Sequence, residues 1–118
     1  MSMVRRRDEM TIEFKKMFGG SGEAENRCIL LGPEEMEGRG RVFRHLVLQP
    51  GCEVGWHIHH GDAETYYFLR GRGEYNDNGT LTEVGPGDTT HVGPEEGHSL
   101  RAVGDEPLEA VALILYAD

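Results

Sequence analysis

Glycine- and proline-centred turns cut this chain into short pieces, and that punctuation limits its fold more than any other feature. Apolar runs at 26–31, 41–48, 53–59, 64–69, 72–75, 81–84, 89–92, 98–103 and 108–116 are separated by turn signals. These include Gln49-Pro50-Gly51, Gly61-Asp62, Gly85-Pro86-Gly87-Asp88 and Gly93-Pro94. A helix needs a longer stretch of 3.6-residue periodicity than any of these runs offers, and no convincing amphipathic helix is present. Short strands at this spacing predict an all-β barrel or sandwich and argue against βαβ units. Asn78-Gly79, between Tyr75 and Leu81, predicts a hairpin, because a primed turn needs positive φ at both central residues.

With 118 residues the chain suits one domain. Residues 1–25 read as an N-terminal extension, partly mobile or packing on the barrel, with Arg5, Arg6 and Arg7 solvated; residues 26–118 form the barrel. The glycine cluster at 19–23 lacks the Lys-Ser/Thr and helix of a phosphate cradle and reads as a plain turn. A net charge of −9, with Lys15 and Lys16 the only lysines, leaves no basic stripe for nucleic acid. The N-terminus lacks the apolar run of a signal peptide, and the longest apolar run, 110–116, is too short to cross a bilayer. A soluble, cytoplasmic protein without membrane or nucleic-acid partners is expected, and in a reducing compartment Cys28 and Cys52 are free thiols.

The chemistry concentrates between Gly51 and Gly71. His57 and His59 are two residues apart in an extended run, so both imidazoles reach one face. Glu64 opens the next run and brings a carboxylate to the same place. Two isolated surface histidines are the bland alternative. Clustered nitrogen and oxygen ligands are costly to hold together without a cation, which favours a metal site. Because each imidazole binds as the neutral form, metal is expected to leave as the pH falls below about 6.

The spacing Gly51, His57, His59, Glu64, Gly71 follows the pattern G-x5-HxH-x4-E-x6-G. A second set, Gly87, Asp88, Pro94 and His98, follows in the later half. On these residues the chain, over roughly 26–116, resembles a small single-domain cupin. It departs from that family at Glu95, where glycine is usual, and at Ala102, where asparagine is common. The resemblance implies a double-stranded β-helix, or jelly-roll barrel, with one metal ion held by His57, His59, Glu64 and His98. Of these, His98 rests on the resemblance alone. Such a set leaves two adjacent octahedral positions for a ligand, and Mn, Fe, Co, Ni and Zn all suit it.

Other residues are candidate neighbours of the ion. Tyr66 shares the parity of Glu64 and is a candidate proton carrier; His45 and His91 are candidate pocket residues, with core or interface roles as the alternative. His60 points away from the ligands if the strand continues, and Trp56 falls on the outer parity. Arg44, Arg70 and Arg101 read as surface residues, although an inward arginine would clamp a carboxylate.

Three functions remain open. The favoured one is a metalloenzyme for a small metal-chelating, oxygen-rich or anionic molecule such as a keto or hydroxy acid, acting by oxidation, decarboxylation or isomerisation. The others are a non-catalytic small-ligand-binding or sensing module and a purely structural metal. Exposed Trp56 and Ile58 point to a homodimer.

Overall fold

The computed structural model describes residues 2–118. Ten strands form two antiparallel sheets. They are β1 (Ile12–Lys15), β2 (Ala24–Leu30), β3 (Gly40–Leu48), β4 (Glu53–Ile58) and β5 (Asp62–Arg70), followed by β6 (Arg72–Asp77), β7 (Thr80–Val84), β8 (Thr89–Val92), β9 (Gly97–Val103) and β10 (Leu108–Tyr116). One sheet has the order β1-β2-β3-β10-β5-β8 and the other β4-β9-β6-β7. The jelly-roll architecture expected from the sequence is therefore present. Among the described residues the only helical turn is a 3-10 turn at Arg7–Glu9.

Strict alternation builds the interior. In β5, Glu64, Tyr66 and Phe68 are buried while Tyr67 and Leu69 are exposed; in β10, Leu108, Ala110, Ala112 and Ile114 face in. Leu46, Leu48, Val54, Tyr75 and Leu100 complete the core between the sheets. Register then sets which side chains share a row. Ala112 pairs with Arg44 on one side and Tyr66 on the other, and Ile114 pairs with Val42 and Glu64. The small Ala112 leaves space between Arg44 and Tyr66, so this end of the barrel stays hollow.

The Asn78-Gly79 hairpin is as expected: Asp77 pairs with Thr80, and φ is 50° at Asn78 and 109° at Gly79. Two features before residue 26 differ from the sequence reading. Ile12–Lys15 is a strand, paired antiparallel with β2 through Ile12–Arg27 and Lys15–Ala24. Arg5 is not solvated: its guanidinium donates to both carboxylate oxygens of Glu35, at 3.0 and 2.8 Å, and to the Ile29 carbonyl. A local reading misses both, because the strand pairs across a turn and Arg5 reaches residues 24 and 30 positions away. No helix among the described residues is long and apolar enough to cross a membrane. Cys28 and Cys52 are free and buried, and burial pushes both thiols up from their ordinary pKa.

Candidate metal centre

His57 on β4 and His98 on β9 are cross-strand partners in the four-stranded sheet. His59 lies in the turn after β4, and Glu64 reaches in from β5 of the facing sheet. These four residues form a group whose ligand atoms all lie within 4.8 Å of one another. Each imidazole is oriented through its Nδ1. His57 Nδ1 lies 2.8 Å from the Gly55 carbonyl, His59 Nδ1 2.7 Å from Asp62 Oδ1, and His98 Nδ1 2.8 Å from the Tyr75 hydroxyl. With Nδ1 carrying the proton towards these acceptors, each Nε2 keeps its lone pair for an ion.

The separations at the centre test whether an ion fits. His98 Nε2 is 3.1 Å from His57 Nε2, 3.3 Å from His59 Nε2 and 3.0 Å from Glu64 Oε1. Glu64 Oε1 is 3.2 Å from His59 Nε2 and 3.8 Å from His57 Nε2. Ligands about 2.1 Å from one ion stand about 3.0 Å apart when adjacent in an octahedron and about 4.2 Å apart when opposite. Four of these five separations are close to the adjacent distance, and the fifth, between His57 and Glu64, is longer. The residues fit a divalent ion.

The electrostatics agree. Burial opposes ionisation of Glu64, but without an ion its contacts with His57, His59 and His98 outweigh it and hold the carboxyl well below the usual carboxylate range. His59 is raised, first by its contact with Glu64, against burial and with help from Asp62. His98 is lowered because burial outweighs its contact with Glu64. Asp62, which steadies His59, is itself fixed by Arg41, whose Nε donates to Oδ2 at 2.8 Å. Burial works against its charge too, yet Arg41 and His59 keep it below the ordinary range.

The N-terminal segment closes one side of the centre. Phe18 stacks on the His57 ring, with centroids 3.8 Å apart and planes 10° from parallel. It holds a φ of 52°, uncommon for a bulky residue. Gly20 and Gly55 allow this approach: a Cβ on Gly20 would collide with the Glu53 carbonyl, and one on Gly55 with the Phe18 carbonyl. Across the centre, Glu95 stands at φ 67°, which accounts for the usual glycine there. That turn is tied to the ligand loop by Glu95 N to His59 O, 2.7 Å, and His59 N to Glu96 O, 3.0 Å.

A cavity of about 350 Å³ opens onto His57, His59 and Glu64. Tyr66 lines it, stacked against His98 with planes 12° apart, and Arg44 lines it as well, contrary to the surface role expected for that arginine. Even-numbered residues of β3 face inward, so Arg44 belongs to the interior row of Ala112 and Tyr66. Burial, reinforced by the Glu64 charge, raises the Tyr66 hydroxyl well above its ordinary pKa, so it keeps its proton. His45 and His91 sit elsewhere. His45 Nε2 is 2.8 Å from Glu109 Oε1, and His91 Nδ1 is 2.9 Å from the Thr65 hydroxyl on an exposed face. Neither lines this cavity. His60 is exposed beside Glu95. Sequence reasoning missed Tyr75, Asp62, Phe18 and the inward Arg44. Of these, Asp62, three residues beyond His59 in a turn, and Arg44, on the parity of Leu46 and Leu48, left a local signal.

Comparison with known proteins places the fold and the family. A protein of Thermotoga maritima named oxalate-binding protein is 40% identical over 114 residues, covering 96% of this chain and 93% of its own length. The crystal structure of a predicted oxalate decarboxylase, also from Thermotoga maritima, superposes with a TM-score of 0.91 at 38% identity, covering 98% of this chain and all of that one. The polyketide cyclase RemF of Streptomyces resistomycificus shares the fold alone, with a TM-score of 0.77 at 19% identity over 100% of this chain and 81% of its own. The family described as Cupin domain matches residues 44–114, a stretch that holds all four candidate ligands, and the chain belongs to the cupin family.

Proposed function

We propose that this cupin binds one divalent metal ion through His57, His59, Glu64 and His98 and uses it to hold a small chelating anion, such as a keto or hydroxy acid, for chemistry. The observation that carries the reading is the group of four convergent ligands opening onto a cavity. A closed structural site would be enclosed by its ligands, whereas this one faces space for a further molecule. The Thermotoga maritima relatives named for oxalate support an oxygen-rich dianion as the kind of molecule taken.

A divalent ion there would polarise a chelated carbonyl or carboxylate, and a redox-active one would also activate oxygen, with Mn, Fe, Co, Ni and Zn all compatible with the ligands. The protein's own share is positional. Asp62, Tyr75 and the Gly55 carbonyl fix the three rings, and Phe18 and Tyr66 cover two of them. Tyr66 holds a proton at its hydroxyl and is the group placed to donate it to a developing anion. His45 and His91, bound to Glu109 and Thr65, have no part in this reading. Decarboxylation, oxidation and isomerisation are all within reach of such a site.

A non-catalytic binding module is the second reading, favoured by the relative named for binding alone. The test is element analysis of protein purified without added metal, followed by turnover assays, oxygen uptake included, across keto and hydroxy acids. A stoichiometric ion with turnover supports the enzyme, an ion with binding alone supports the module, and failure to take up any divalent ion sinks both. We also propose a homodimer through the outer face of β4, where Trp56 and Ile58 are 48% and 46% exposed. A monomeric mass at micromolar concentration refutes it.

A further inference from the structure

The cavity is larger and more cationic than a two-carbon dianion requires. A molecule with six non-hydrogen atoms, each given a water's share of about 30 Å³, fills at most about half of the cavity's 350 Å³. The wall beyond the ligands carries Lys15, Lys16, Arg41 and Arg44, which include both lysines of a chain whose net charge is −9. Arg41 is committed to Asp62, and Lys15 lies 3.4 Å from Glu13. Lys16 has no ion-pair partner among the described residues.

Arg44 is held ready for a ligand. One terminal nitrogen donates to Asn26 Oδ1 at 3.3 Å, the other lies 3.4 Å from Glu13 Oε1, and Asn26 is anchored by donating to the Ala24 carbonyl. These contacts leave Nε, a buried donor, without any acceptor. A buried N–H on a charged group is costly to leave unpaired, and an arginine edge accepts a carboxylate well. The interior row places Arg44 beside Ala112, across from Tyr66, while the candidate ion site lies at Glu64 one row away.

We propose that the cavity has a second anion subsite, built on Arg44 with Lys16 beside it, and that its preferred ligand is a dicarboxylic acid. One end of that ligand, a 2-oxo or 2-hydroxy carboxylate, chelates the ion, and the distal carboxylate seats on Arg44. This rests on the chelation reading above and narrows its substrate class. The match is electrostatic as well as spatial. A monocarboxylic oxo acid brings no carboxylate to the Arg44 and Lys16 charges on the cavity wall, whereas a five-carbon diacid does.

The test is calorimetric titration of the full chain loaded with Mn(II), using oxalate, 2-oxopentanoate and 2-oxoglutarate. The last two share a chelating head and chain length and differ in the distal carboxylate. We expect 2-oxoglutarate to bind about tenfold or more tighter than 2-oxopentanoate, as one charge-assisted pair allows. Arg44→Met should remove that advantage while oxalate and 2-oxopentanoate bind as before. Lys16→Met, at an exposed position, should reduce it in part and serves if the Arg44 variant does not fold. Equal affinity of the two oxo acids in the wild-type protein, or an advantage that survives Arg44→Met, overturns the subsite. If oxalate still binds, chelation stands. If none of the three binds, both readings fall.

Discussion

Replacing Tyr75 by phenylalanine removes one oxygen and leaves the shape of the core intact, so it isolates what that hydroxyl does. Tyr75 and His98 are each 1% exposed, and their 2.8 Å contact is the only one to His98 Nδ1 among the described residues. Burial pushes the Tyr75 hydroxyl up to about 12, so it stays protonated and neutral at any working pH. In Tyr75→Phe, the buried Nδ1 loses that partner. The ring then either tolerates an unpaired N–H, at about 1–3 kcal/mol, or moves its proton to Nε2 and ceases to be a ligand. Loss of a partner that orients a metal-binding histidine typically lowers metal affinity about 10- to 100-fold, or about 1.4–2.7 kcal/mol. The assay is metal affinity by competition with a chromogenic chelator, alongside thermal unfolding of the metal-free form. Val84→Ala, at a core position paired with Gly73, controls for plain destabilisation. It should lower the unfolding temperature and leave metal affinity unchanged. A Tyr75→Phe protein that binds metal within about twofold of wild type would refute the assignment of His98 as a ligand fixed through Nδ1.

Three further outcomes are expected. Metal should be released in chelator as the pH falls below about 6, because the imidazoles bind as neutral rings; full retention at pH 4.5 contradicts this. In the metal-free protein Glu64 and Asp62 are held below their ordinary values, so their stabilisation is complete above the usual carboxyl range, about 4, and is lost as the pH falls through the lowered values; Asp62→Asn removes its share, so acid unfolding monitored by circular dichroism should move to higher pH, and a move to lower pH contradicts the assignment. Glu95→Gly relieves a residue at φ 67° and should raise stability by up to about 1 kcal/mol without altering metal affinity, as read by denaturant unfolding; a loss of stability shows that the turn depends on the Glu95 side chain.

What the sequence disclosed and what it hid divide along the range of the interactions. The turns that bound each strand are local, so the all-β architecture and the Asn78-Gly79 hairpin could be read directly. His57, His59 and Glu64 could be read because strand alternation is also local. His98 could not, since its place opposite His57, 41 residues away in the chain, is set by pairing between β4 and β9, and only the family resemblance supplied it. Tyr75 and Phe18 are further cases: one reaches His98 across the β6–β9 pair, the other reaches His57 through the close approach of Gly20 and Gly55 to neighbouring backbone. Arg44 and His45 show what parity could have added. Leu46 and Leu48 mark the inner face of β3, which puts Arg44 inside and His45 outside.

The source of the fourth ligand has a mechanical meaning. His57 and His98 belong to one sheet and Glu64 to the other, and among the described residues few polar contacts join the two layers besides those at this centre. An ion seated there acts as a rivet through the sandwich, tying the layers at the end where a hollow interior provides least cohesion. Occupancy and mechanical integrity would then be one quantity: with the proposed ion bound, the unfolding temperature would climb with the free metal concentration, and stripping the ion would loosen the end of the barrel onto which the cavity opens.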